Sequence, residues 1–176
     1  RGEGDSTYIP MDRLDSIVGI FPDLDARTPV VMGIDASVSG DMFAIAVSSR
    51  HPERKDDAVI RLVKYWSPRD FPNRRIDFEV VDKWVRGFCQ THNVVQITFD
   101  IYQLAFMAQQ WVKDRVAWVK AFDQGAERLV GDSLMHKLAI SGRLSHNGDP
   151  VLREHIDNCA VRLQKGEESK MRIVKK

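Results

Sequence analysis

The sequence predicts a mixed α/β fold: a sheet that starts with three antiparallel strands in sequence, is completed by βαβα crossovers, and carries helices on both faces. Two observations lead there. Short apolar runs of strand length recur at residues 30–34, 42–49, 59–66, 94–99 and 116–122. Between and after the later runs the apolar spacing lengthens to every third or fourth residue, the period of a helix that buries one face.

Residues 1–28 carry Gly2, Gly4, Pro10, Pro22 and scattered charges around one apolar patch, Ile17 to Phe21, and read as a linker that docks on a core. The regular fold, residues 29–176, begins at Pro29. Val30-Val31-Met32-Gly33-Ile34 is a continuous apolar run of the kind found in a strand buried on both faces, and it ends on Asp35. Met42 to Ser49 and Val59 to Trp66 read as the next two strands, and the polar segment from His51 to Asp57 suits an antiparallel connection. Ile76, Val80, Trp84 and Phe88 then recur every fourth residue, which predicts a helix stopping near Asn93. Val94 to Phe99 is a strand again. A helix through Leu104, Met107, Ala108 and Trp111, a strand at Val116 to Phe122, and a helix from Ala126 to Ile140 follow. The order βββαβαβα is compatible with the RNase H-like arrangement.

At 176 residues, 43% hydrophobic and 29% charged, the chain has the composition of an ordinary globular domain. No apolar run approaches the roughly 20 residues needed to cross a bilayer, and no secretory signal opens the sequence, so a soluble, intracellular setting is expected. Cys89 and Cys159 are far apart and have no structural-zinc spacing, which points to packing residues in a reducing compartment. The formal charge of +1 offers no bulk attraction to nucleic acid, so a DNA surface has to come from local clustering.

The chemistry rests on two aspartates at strand ends, Asp35 in Gly33-Ile34-Asp35-Ala36-Ser37 and Asp100 in Thr98-Phe99-Asp100-Ile101-Tyr102-Gln103. In an RNase H-like sheet the first and fourth strands are neighbours, which brings the two carboxylates together. Close ionised carboxylates repel unless a cation neutralises them, and hard divalent ions such as Mg²⁺ or Mn²⁺ suit oxygen donors. Two such ions about 3.5–4 Å apart can activate a water and stabilise the leaving oxygen of a phosphodiester. Taken singly, an Asp just past a strand is more often a turn or helix cap. The matching pair favours the metal reading. Asp41 is either an outer ligand or the start of its strand.

These residues resemble the nuclease half of the viral terminase large subunit, as found in tailed bacteriophages. The run from Gly33 through Asp35 to Asp41 and Ile45 is similar to that family's first acidic strand and turn, and Phe99-Asp100-Ile101-Tyr102-Gln103 to its second motif, with Ile101 where the family often has Pro. Phe122-Asp123-Gln124-Gly125 and the segments 142–146 and 149–155 add to the likeness, which runs from about Val30 to the end of the chain. The resemblance implies an endonuclease that cuts concatemeric double-stranded viral DNA during genome packaging in the host cell cytoplasm. Its implied partners are an N-terminal ATPase domain, the portal and the small terminase subunit. No Gly-x-x-x-x-Gly-Lys-Ser/Thr phosphate loop occurs in this sequence. The family's third acidic ligand sits on a C-terminal helix, which is expected beyond Lys176. Asp157 is the candidate substitute within the chain, against its plainer reading as a solvated helix residue.

Cations for phosphate contact are expected first among Arg128, Lys137, Arg143 and His146, which lie in the segment carrying the resemblance. Arg69, Arg74 and Arg75, and Lys113, Arg115 and Lys120 around the fifth strand, are further candidates, as is the basic tail from Lys170. That tail is either one strand of a hairpin with Val161 to Gln164 or frayed. Trp66, Trp84, Trp111 and Trp118 are expected in the core. Two alternatives stay open: another RNase H-like phosphotransferase, such as a junction resolvase or transposase core, and a catalytically silent DNA-docking module.

Overall fold

The computed structural model describes residues 6–36, 42–163 and 171–175. In chain order its elements are β1 (Ser6–Thr7), α1 (Met11–Ser16), β2 (Val30–Asp35), β3 (Phe43–Arg50), β4 (Ala58–Trp66), α2 (Phe78–Thr91), β5 (Val94–Phe99), α3 (Ile101–Lys113), β6 (Val119–Ala121), α4 (Ala126–Ile140), β7 (Leu144–His146), α5 (Pro150–Asp157), β8 (Cys159–Leu163) and β9 (Met171–Lys175). Hydrogen bonds order the strands β6, β5, β2, β3, β4, β7 in a six-stranded sheet and β1, β8, β9 in a three-stranded one. β2 is antiparallel to β3 and parallel to β5, so the larger sheet is mixed, as an RNase H-like fold requires. Residues Arg1–Phe21, Arg50–Ile60 and Asp123–Lys176 form one compact unit, and Pro22–Ser49 with Arg61–Phe122 form the other.

The second unit holds the strands that carry the acids. Along β2, Val30, Met32 and Ile34 are buried while Val31, Gly33 and Asp35 are exposed. The strand is therefore buried on one face, not both. The physical reason is that α2 and α3 contribute Val81, Val85, Leu104, Met107 and Trp111 to the same core cluster as Met32 and Ile34. Helix α2 starts two residues later than the apolar period suggests because Asp77 caps it, accepting the Glu79 N–H at 2.9 Å. Trp111 is fully buried and donates its indole N–H to Asp82 at 2.7 Å; Asp82 also pairs with Arg86 at 2.8 Å. A large apolar ring is thereby buried with its polar handle satisfied. Trp118 departs from the expected core position. It is 71% exposed just before the edge strand β6, where its carbonyl accepts the Ile97 N–H at 2.7 Å.

Of the segment 1–28 read as a docking linker, residues up to Phe21 belong to the first unit and those from Pro22 to the second. Tyr8, Ile9, Leu14 and Ile17 are buried in the first. β1 joins β8, and the Tyr8 hydroxyl donates to the Asp132 carbonyl at 2.8 Å. Burial and the Asp132 carboxylate push the Tyr8 hydroxyl pKa well above its ordinary value. Helix α4 runs over the expected residues, with Asp123 accepting the Gly125 and Ala126 N–H groups and Glu127 accepting the Asp123 N–H, a reciprocal cap. β8 and β9 pair antiparallel from Cys159↔Lys175 to Leu163↔Met171, so residues 171–175 of the basic tail form a strand beside β8. Neither cysteine is in a disulfide, both are half-buried, and burial raises the Cys89 thiol to about 11.

Candidate metal centre

Asp35 ends β2, and Asp100 stands between the end of β5 and the start of α3. The two strands are adjacent and parallel, with Met32↔Ile97, Gly33↔Thr98 and Ile34↔Phe99 in register. One step further, Asp35 is level with Asp100. Paired residues on neighbouring strands project from the same face, so the carboxylates leave the sheet side by side, their Cα atoms about 5 Å apart at the usual strand spacing. Ile34 and Phe99, one residue earlier, are buried on the opposite face. Asp35 is exposed and Asp100 half-buried, so solvent and solutes reach both.

A bulge lies upstream of this pairing. Val30 pairs with Val94, but Val31 pairs with Gln96, leaving Val95 as an extra residue. Val94 packs against the core, Val95 is 45% exposed, and Ile97 and Phe99 are buried again. The extra residue lets Val94, Ile97 and Phe99 all face the helices, while Gln96, Thr98 and Asp100 line the other face. Gln96 donates to the Thr98 hydroxyl at 2.9 Å there.

The donor set fits a hard divalent cation. Mg²⁺ is commonly held by one or two carboxylates, keeps several waters and takes substrate phosphate oxygens for the rest. Among the described residues no group of three or more His, Cys, Asp and Glu side chains gathers as a metal cage. Asp41 lies outside the described residues. Asp157 is the exposed last residue of α5, in the other unit from Asp35 and Asp100.

The cations expected to meet phosphate fare differently. His146 is 1% exposed; its Nδ1 accepts the Gly148 N–H at 3.1 Å, so Nε2 carries the proton and donates to the Leu14 carbonyl at 2.9 Å. His146, expected among the phosphate contacts, thus sits in the environment of a packing group, buried with both ring nitrogens engaged. Arg128 reaches Gln124, the Ile173 carbonyl and Asp132. Arg143 donates to Asp57 at 3.1 Å and to the Asp56 carbonyl at 2.9 Å, with its side chain half exposed. Lys137 is exposed on α4. Unread in the sequence here are β7 and the start of α5, the helix on which Asp157 was placed. Asp149-Pro150 was a readable start for α5, since Asp149 caps the helix through the Val151 and Leu152 N–H groups and Pro150 needs no donor at the first position.

No protein-family model matches this chain. It is 24% identical over 148 residues to the Gene 13 protein of Mycobacterium phage D29, a match covering 77% of this chain and 24% of that protein. The chain thus spans about a quarter of the length of that curated relative. The large terminase of bacteriophage HK97 superimposes with a TM-score of 0.78 at 15% identity, over 97% of this chain and 40% of that one. The large terminase nuclease of the thermophilic phage G20c, in a structure with bound magnesium, superimposes with a TM-score of 0.69 at 10% identity, over 98% of this chain and 88% of that one. The chain has the fold of the phage large-terminase nuclease domains.

Proposed function

We propose that this chain is a divalent-metal-dependent endonuclease domain that cuts concatemeric double-stranded viral DNA during genome packaging. The observation that carries the reading is the level placement of Asp35 and Asp100 on one open sheet face, in a fold shared with phage nuclease domains. Asp35 and Asp100 would hold two Mg²⁺ or Mn²⁺ ions, which when bound supply an activated water and stabilise the leaving oxygen of the phosphodiester. The chain's part is to hold the two carboxylates rigidly on paired strand ends. Ile34 and Phe99, buried beside them, fix the strand ends from which they project. No covalent enzyme intermediate is required.

DNA contact falls to exposed Lys137 and half-exposed Arg143 in the first unit, Arg128 being engaged with three partners of its own. In the infected cell's cytoplasm the domain would work beside an N-terminal ATPase domain, with portal and small terminase subunits as partners. Among the described residues no helix is long and apolar enough to cross a membrane.

Incubation of supercoiled plasmid with the protein and Mn²⁺ tests the reading. Nicked and linear DNA are expected, and chelation by EDTA should stop their formation. Junction-selective cutting or strand joining would instead favour a resolvase or transposase core. Salt-sensitive binding with neither cutting nor a response to divalent ions would favour a silent docking module.

A further inference from the structure

We infer that Lys120 is a phosphate-contact residue of the cutting site, holding the DNA backbone against the acid pair; this rests on the nuclease reading above. β6 pairs in parallel with β5 through Thr98↔Lys120, and Thr98 pairs on its other side with Gly33. Register partners share a face, and Thr98 and Gly33 each lie two residues before an acid, so Lys120 projects from the same face as Asp35 and Asp100. One strand across and two residues back places the Lys120 Cα about 8 Å from that of Asp100. A flexible four-carbon stem carries its ammonium across that gap while the backbone stays fixed.

The surroundings single out this lysine. Gly33 has no side chain, and its partner on β3 is Ala46, while Asp35 pairs with Ala44. The floor beside the acids is therefore shallow. Lys120 is exposed on an edge strand, where a polyanion in solution can reach it. The other cations bordering β6 lie elsewhere: Lys113 ends α3, and Arg115 sits in the connection before the strand. Because β6 is parallel to β5, that connection enters at the end of the strands away from Asp100.

Binding of a short DNA duplex, measured without divalent ions over a range of salt concentrations, tests the assignment. Lys120→Gln should lower the slope of log K against log salt by about 0.9, the loss of one phosphate contact. Lys120→Arg should keep the wild-type slope. Lys83→Gln, an exposed lysine on α2, should change nothing. In Mn²⁺-dependent cutting, Lys120→Gln should raise KM more than it lowers kcat. A wild-type slope and KM in folded Lys120→Gln, beside a wild-type protein that binds and cuts, would overturn the inference and leave the nuclease reading intact. A wild-type protein that neither binds nor cuts would overturn both.

Discussion

Asp35 and Asp100 stand level at the ends of two adjacent parallel strands, and the extra residue Val95 reconciles that placement with the burial of Val94 on the same strand as Ile97 and Phe99. A one-residue slip in a strand turns every following side chain to the opposite face. Deleting Val95 should remove the bulge and leave Asp100 level with Asp35, so the variant is expected to fold and to keep metal-dependent cutting. Inserting an alanine between Thr98 and Phe99 turns Asp100 toward the core and should abolish cutting. Circular dichroism and plasmid relaxation on both variants check this. Loss of cutting in the folded deletion, or cutting by the insertion, contradicts the account of the register.

His146 is expected to matter for stability, not for DNA. Replacing it with alanine opens a cavity and strands the Leu14 carbonyl and the Gly148 N–H, which should cost about 2–4 kcal/mol. Denaturant unfolding measures the cost. DNA affinity of the folded fraction should match wild type, and a selective loss of affinity without destabilisation would restore a phosphate role for this residue.

Gly87 offers a gain. It lies within α2, and a Cβ added there would meet no atom within 4 Å. Gly87→Ala should therefore stabilise the protein by about 1 kcal/mol, the usual difference in helix propensity. An unchanged or lower unfolding midpoint would show that the open position beside Trp84 and Phe88 serves something other than helix stability.

Asp57 sets an acid-sensitive contact. The Arg54 guanidinium first, and Arg143 next, hold its carboxyl below the ordinary carboxylate value. A group whose folded pKa is depressed contributes stability above its unfolded pKa, about 3.9, and loses it as pH falls through the lower folded value. Asp57→Asn should thus be less stable than wild type at neutral pH, and the difference should shrink as pH drops below about 4. Equal destabilisation at pH 7 and at pH 2 would assign the effect to shape instead of charge.

The central elements were legible because each repeats one simple signal. β2, β3, β4 and α4 fall within a residue or so of the expected runs, and Asp35 and Asp100 sit at the strand ends where those runs put them. Less legible were features set by long-range packing. The one-sided burial of β2 depends on both α2 and α3 sharing a face, which periodicity in β2 does not reveal. The Val95 bulge hides inside an apolar run, where no turn residue marks it. His146 looked available because a histidine among basic residues reads as surface, yet its two bonds are made to Leu14, far away in sequence, and to Gly148 close by. β7 and α5 are short; Asp157 was read as a helix residue, and the Asp149-Pro150 pair marks where that helix starts.

The most direct test is plasmid cutting in Mn²⁺ by wild type, Asp35→Asn and Asp100→Asn, each checked for an intact fold. Both substitutions keep side-chain size and remove the charge that would hold the cation. Metal-dependent nicking by wild type with loss of nicking in both variants is the predicted result. Undiminished nicking by either folded variant would contradict the assignment of the cutting centre to Asp35 and Asp100.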